Sequence, residues 1–196
     1  MRNRIIWVDL DEVLAETVDY CLECNNYKIW DFEIKKEKIV NYYIHEIEWL
    51  NIDLKQAIDW FQIPLDNDIL RLEIKPVKWA VEKILELKNA WNKIIVVTAR
   101  SEERFKEYTE KWLDKYFWWL IDNIVFTDHF TDKHRDKWDV CRDLWIEFMI
   151  EDNMDYALDI AKKGIKTYLL DKPWNQIREE ENKNLIRIKS WDEFLK

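Results

Sequence analysis

The sequence predicts an α/β protein, a doubly wound parallel sheet with a helical cap inserted after the first strand. Three observations carry that prediction. From Val77 onward, short apolar runs alternate with helical segments, the pattern of parallel strands joined by crossover helices. The first apolar run, Arg4 to Val8, ends abruptly in acid at Asp9, as a buried strand does at a sheet edge. Between these regions, residues 15–76 carry no strong strand run and break the alternation. The expected organisation is a core of 1–14 and 77–196 with a cap at 15–76.

Taken in order, Leu14 to Asn25 is helical in composition, and Asp53 to Phe61 reads as an amphipathic helix with Asp53 at its N-cap. Pro64 and Pro76 punctuate the end of the insertion. Val77 to Asn89 is helix and Lys93 to Val97 strand. Ser101 is placed to cap a helix running to about Lys115, with Glu102 and Glu103 in its favourable first turn. Asn123 to Phe126 is strand, and Asp128 to Asp136 a polar loop. Lys137 to Leu144 is helix, Glu147 to Ile150 strand, and Met154 to Lys163 helix. Ile165 to Leu170 and Leu185 to Ile188 are strands, separated by a charged loop at Glu179 to Lys183. Ser190 and Glu193 have the spacing of a capping box for a final helix.

Composition excludes several function classes. Hydrophobic residues at 48% and charged residues at 36% of 196 positions exclude a mainly disordered chain. A net charge of −9 repels polyphosphate backbones, so a small molecule rather than a long nucleic acid is the expected partner. No apolar run approaches the ~20 residues that span a bilayer. The first residues turn acidic too early for a signal peptide. Three cysteines form no even disulfide set, which predicts a reducing, cytoplasmic location. Cys21 and Cys24 have C-x2-C spacing but lack two further ligands nearby, so they read as helix positions rather than a zinc site.

The informative polar residues fall at strand ends, where open parallel sheets bind ligands. Asp9 and Asp11 follow the first strand, Thr98-Ala99-Arg100 the second, and Glu151-Asp152 the fourth; Lys137 opens the helix leading into that fourth strand. These types suit phosphoryl transfer. Asp9 and Asp152 can share Mg2+, a hard ion that takes oxygen ligands. The ion offsets repulsion between carboxylate and phosphate, so Asp9 can attack phosphorus. Asp11 can protonate the leaving oxygen and later activate water. Thr98 and Lys137 can hold the transferring group, and Arg100 can grip phosphate or form a salt bridge. A phospho-receiver uses similar residues in a different chain order, and here the Asp-x-Asp comes first and the acidic pair last. A non-catalytic phosphate-binding protein is the remaining alternative.

Ile5 to Ala15 resembles the first motif of the haloacid dehalogenase superfamily of phosphatases, Ile94 to Arg100 the second and Met149 to Asn153 the fourth. Lys137 is placed like the third motif, with Lys133 as a rival. The resemblance implies a Rossmann-like core and an aspartyl-phosphate mechanism. Asp9 would be the nucleophile, Asp11 the acid/base, and Asp152 a Mg2+ ligand with the backbone carbonyl of Asp11; Glu151 would assist. Thr98, Ala99, Arg100 and Lys137 would bind the phosphate. The Asp-Glu-Val-Leu-Ala run, the cap and the Glu-Asp pair most resemble the 5′(3′)-deoxyribonucleotidase branch, which implies a nucleoside monophosphate substrate; a sugar phosphate is the alternative. The second motif departs from that branch, reading Thr98-Ala99-Arg100 rather than Thr-Ser-Pro.

One composition value is anomalous. There is a single glycine against 13 tryptophans, where average usage of ~7% predicts roughly 14 glycines. Trp91, Trp118 and Trp145 follow predicted helices, as the one glycine, Gly164, also does. Chains commonly turn left-handed there, and glycine is preferred. A tryptophan would carry a penalty of about 1 kcal/mol at such a site. Most of Trp7, Trp30, Trp49, Trp79, Trp91, Trp118, Trp119, Trp138 and Trp145 are therefore expected to be glycines encoded by UGA, the alternative being a tryptophan-rich chain that truly avoids glycine. Trp60, Trp112, Trp174 and Trp191 suit their contexts.

Overall fold

A computed structural model describes residues 4–66, 70–129, 131–176 and 182–194. Most of the charged run at 179–183 lies outside them. The chain forms β1 (Ile5–Val8), α1 (Thr17–Cys24), β2 (Lys28–Ile29), β3 (Phe32–Glu33), α2 (Leu54–Leu65) and α3 (Ala80–Asn89). It continues through β4 (Lys93–Thr98), α4 (Glu102–Tyr116), β5 (Asn123–Phe126) and α5 (Lys137–Asp143). The last elements are β6 (Phe148–Glu151), α6 (Met154–Lys162), β7 (Lys166–Leu170) and β8 (Leu185–Ile188). Six strands make one sheet in the order β5-β4-β1-β6-β7-β8, with every pair parallel.

This order explains the apolar strands. Ile6 and Val8 face one buried layer, with Ile94, Val96 and Ile150. Ile95, Val97 and Met149 face the other, with Val140 and Ile160 from the helices. A parallel sheet covered on both faces needs such near-continuous hydrophobic runs. β1 lies at the centre, where the sheet order reverses: the chain crosses to β4 on one side and later to β6 on the other. Val8 pairs with both Val96 and Ile150, so β1, β4 and β6 end within two residues of one another at one edge.

The segment between β1 and α3 leaves and returns through a narrow neck. Val77 donates its backbone N–H to Leu14, and Glu16 donates to Lys75. Asp53 caps α2 as expected: its carboxylate accepts from the Gln56 backbone, and the Gln56 side chain accepts in return. The segment is less helical than its sequence predicts. Beside α1 and α2 it holds the β2–β3 hairpin and several single 3-10 turns. Residues 26–53 have no sustained apolar periodicity, so only short elements close there. Ser101 sits at the start of α4 without a side-chain cap bond, and Asp128 accepts from the Glu102 N–H instead. The expected final helix is a single 3-10 turn, Trp191–Glu193. Among the described residues no helix is long and apolar enough to cross a membrane.

Candidate active site

Asp9 immediately follows β1 and is held there by its own backbone, which donates to Ile150 at 3.0 Å. Its carboxylate is buried and accepts from the Lys137 ammonium at 2.8 Å; the same ammonium donates to Glu151 at 3.0 Å. Lys137 reaches this point because Asp136 caps α5 and starts the helix under the sheet edge. The Tyr156 ring lies 4.4 Å from the ammonium. Lys133 faces solvent and pairs with Glu103, so Lys137 is the lysine at the cluster.

Asp152 is buried beside Asp9 and Glu151, and the three offer oxygens within 4.8 Å of one another. Burial first, then Glu151, pushes the Asp9 carboxyl up to about 8, although Lys137 pulls it down. Burial, Glu151 and Asp9 likewise push Asp152 well above the usual carboxylate range. Burial disfavours the Lys137 cation, but Asp9 and Glu151 outweigh that and keep it protonated. With all carboxyls ionised, three negative charges would crowd a desolvated site in which Lys137 pairs with Asp9 and Glu151 and only the more distant influence of Lys172 reaches Asp152. A divalent cation removes that imbalance, and bonds of ~2.1 to 2.5 Å let one ion bridge such oxygens after small side-chain adjustments. The donor set, all hard oxygen, fits a hard ion.

Asp11 lies across the opening. Arg100 grips its two oxygens through Nε at 3.1 Å and Nη2 at 2.7 Å, and the Thr17 hydroxyl donates to it as well. Burial raises the Asp11 pKa, but Arg100 and Thr17 outweigh that and hold it below the ordinary value. Arg100 is thus committed to Asp11 here rather than standing open for a phosphate. Thr98 is fully buried, its hydroxyl accepting from the Arg100 backbone at 3.2 Å, and Ala99 offers its carbonyl to the His129 N–H.

Sequence reasoning missed the parts played by Trp174 and Glu12. The Trp174 indole donates to Asp152 at 2.8 Å. Glu12, in a left-handed conformation, ties Lys36 of the insertion to Lys172 after β7. Tyr42 and Tyr43 line a cleft of about 320 Å³ with Asn153, Trp174 and Asn175. Burial and the nearby carboxylates push the Tyr42 hydroxyl well above its ordinary value. Within that cleft the buried Asn153 amide nitrogen has no acceptor among the described residues. Tyr20 of α1 is buried against Pro64, and Trp30 and Phe32 are exposed on the hairpin. His129 lies 3.4 Å from the Tyr156 hydroxyl, and burial, His134 and Lys137 lower it to about 4, so it is neutral. Cys21 and Cys141 are buried free thiols, and Cys24 is exposed.

No family model matches the chain. A nucleotidase of Clostridium acetobutylicum is 30% identical over 197 residues, covering 98% of this chain and 92% of that protein. CbbY of Rhodobacter sphaeroides, solved with phosphate, matches with a TM-score of 0.64 at 15% identity, over 98% of this chain and 96% of that one. A haloacid dehalogenase-like family hydrolase of Streptococcus pneumoniae matches with a TM-score of 0.65 at 11% identity, over 95% and 94%.

Proposed function

From its membership of the haloacid dehalogenase superfamily, to which this chain belongs as a phosphomonoester hydrolase, we propose that it is a Mg2+-dependent nucleotidase acting through an aspartyl-phosphate. The observation that carries the chemistry is the buried cluster of Asp9, Glu151 and Asp152, with the Lys137 ammonium on the first two, at the point where the sheet order reverses. Asp9, Asp152 and the Asp11 carbonyl would hold the ion, with Glu151 beside them. When bound, the ion supplies charge neutralisation that lets a carboxylate meet a phosphate.

The residues then divide the work. An Asp9 oxygen attacks phosphorus, forming an acyl phosphate as the ester P–O bond breaks. Asp11 gives its proton to the leaving alkoxide. In the second step Asp11 takes a proton from water, whose oxygen attacks phosphorus; the Asp9–phosphorus bond breaks and inorganic phosphate leaves. Lys137 and Thr98 stabilise the transferring group. Asp11 enters this cycle protonated, so substrate binding has to loosen its pairing with Arg100; the phosphate dianion is the natural competitor for that guanidinium.

The substrate assignment rests on the relative named a nucleotidase and on Tyr42 and Tyr43 facing the cleft, two rings suited to a nucleobase. Residues 15–76 would act as the cap that sets selectivity, in a chain working in the reducing cytoplasm. Purified protein tested against nucleoside monophosphates and sugar phosphates, with Mg2+ or with chelator, decides the matter. Hydrolysis of nucleotides only with the ion supports the proposal. Preference for sugar phosphates removes the nucleotidase reading, and metal-independent turnover removes Mg2+. Exchanging residues 15–76 with those of a related phosphatase is expected to change the ester preferred while metal dependence persists.

A further inference from the structure

We propose that Trp174 and Asn175 are positioning residues for Asp152, an inference resting on the metal role given to that residue above. The segment after β7 turns back over the sheet edge. There the Trp174 indole donates to the Asp152 Oδ2 at 2.8 Å, and the Asn175 amide donates to the Asp152 carbonyl at 2.8 Å. Both residues are buried. Arg187 of β8 fixes Asn175 in turn, donating to its side-chain and backbone oxygens. One side of the Asp152 carboxylate is thereby committed to the indole, which orients the other oxygen toward the cluster. Hydrogen-bond partners of ligating carboxylates typically govern metal affinity by 10–100-fold.

Trp174→Phe keeps the ring and removes the N–H. Calorimetric titration of the full chain with Mg2+ or Mn2+ is expected to show affinity weakened about tenfold or more. The circular dichroism spectrum of the metal-free variant is expected to match the parent, so that the lost affinity reports the carboxylate and not the fold. Affinity within twofold of the parent overturns the positioning role. If that variant does not fold, Asn175→Ser carries the same test, since it removes the donor to the Asp152 carbonyl. A parent protein that binds no divalent ion overturns the metal reading itself, which distinguishes the two failures.

A separate observation concerns all 13 tryptophans, and from it we infer that nine of them are glycine in the protein the cell makes. Trp60, Trp112, Trp174 and Trp191 are buried, and each indole donates a hydrogen bond. None has positive φ. The other nine have no indole hydrogen bond among the described residues, and five of them, Trp30, Trp79, Trp91, Trp118 and Trp145, have positive φ. Three helix ends make the point. After α6, Gly164 donates to Ala161 and Ile165 to Ile160. After α3, Trp91 donates to Lys88 and Asn92 to Leu87; after α5, Trp145 donates to Arg142 and Ile146 to Cys141. These are the same left-handed motif three times, once closed by glycine. The two tryptophans closing it are 77% and 82% exposed, so their rings gain nothing from packing. Trp30 occupies the first central position of the two-residue β2–β3 turn, where positive φ again favours glycine. Trp7 buries an indole nitrogen with no partner inside β1. Trp49 and Trp119 are exposed, and Trp138 lies under the Lys163 ammonium without donating.

A UGA codon read as glycine by the cell and as tryptophan in translation yields this split. Peptide mass spectrometry of the native protein is expected to find glycine at the nine positions and tryptophan at 60, 112, 174 and 191. Tryptophan masses at 91 and 145 overturn the inference. A stability test runs in parallel on recombinant chains: Trp91→Gly and Trp145→Gly are expected to raise Tm, and Trp191→Gly to abolish folding. A lowered Tm in the first two counts against the inference.

Discussion

The strand-end cluster and the inserted segment stand a few ångströms apart and are built on opposite principles. At the strand ends, Asp9, Thr98, Lys137, Glu151 and Asp152 are all buried, and every ionic partner comes from a different element. The sheet register fixes the relative heights of Asp9, Thr98 and Glu151, and Lys137 joins them from the capped start of α5. In residues 15–76 the elements are short and several aromatics are exposed, yet buried side chains such as Ile29, Ile39, Ile44 and Leu50 join the same apolar cluster as Ile6 and Val8 of β1, and Lys36 pairs with Glu12. A rigid centre suits chemistry whose charges must be pre-set. A segment of short elements and turns seated beside the strand ends suits substrate choice.

The sharpest break in this comparison is Asp9→Asn. The change is nearly isosteric, so the circular dichroism spectrum is expected to match the parent. The nucleophile is lost, and kcat is expected to fall more than a thousandfold, a barrier increase of about 4 kcal/mol. Retention of a tenth of kcat, only about 1.4 kcal/mol, would sink the assignment. Lys137→Met acts on the same cluster through stability. It leaves Asp9 and Glu151 without their ammonium, and loss of one partner from a buried pair costs about 3–5 kcal/mol. Urea unfolding near neutral pH is the measurement; a loss below about 1 kcal/mol would mean that Lys137 does not balance these carboxylates.

The pH dependence of the metal-free protein follows from the same charges. Asp9 titrates at about 8 in the folded chain against 3.8 when unfolded. Between those values the unfolded chain binds fewer protons, so this group makes stability fall as pH rises. His129 has the opposite sign below about 6.5, since its folded value is about 4. The clean window is therefore pH 6.5 to 8, where Tm with chelator is expected to decline and Mg2+ to restore it most at the alkaline end. A rise in chelator over that window contradicts the burial of uncompensated carboxylates.

How much of this was legible in the sequence follows the same division. Strand ends announce themselves, because Val8-Asp9, Val97-Thr98 and Ile150-Glu151 each switch from apolar to polar within one residue. The sheet, its crossovers and the set Asp9, Asp11, Thr98, Glu151 and Asp152 follow from that polarity, whereas Lys137 rests on its place at a helix start and on the family resemblance, with Lys133 left open. Contacts made through loops do not. Nothing in the spacing of Asp152 and Trp174 says that an indole crosses the sheet edge to meet a carboxylate. Arg100 was open to phosphate or to a salt bridge, and only the position of Asp11 decides between them. The β2–β3 hairpin has two residues per strand, too few to show a period of two.

Between the regions stands Glu12, buried and shared by Lys36 of the insertion and Lys172 of the core. Burial raises its pKa, but Lys172 and Lys36 outweigh that and hold it low. Glu12→Gln removes the charge both lysines face, and is expected to cost about 1–3 kcal/mol in urea unfolding. KM is expected to rise more than kcat falls, because the seating of the insertion is disturbed and the strand ends are not. An equal loss in both would place Glu12 with the chemistry.

The smallest expected effect is the one that separates two lysines. Lys133 and Lys137 lie in the same stretch, four positions apart, and either has the spacing for the phosphate-holding role. Lys133 reaches outward to Glu103, in a pair that solvent surrounds on both sides. Exposed pairs of this kind contribute little, since water screens the attraction and two long side chains lose freedom to make it. Lys133→Ala is therefore expected to leave Tm, kcat and KM indistinguishable from the parent. The same assay on Lys137→Ala should register no turnover. If Lys133→Ala instead lowers kcat tenfold with Tm unchanged, the loop at 128–136 swings inward during the reaction, and the ammonium seen on Asp9 in the free protein is not the one that holds the phosphate.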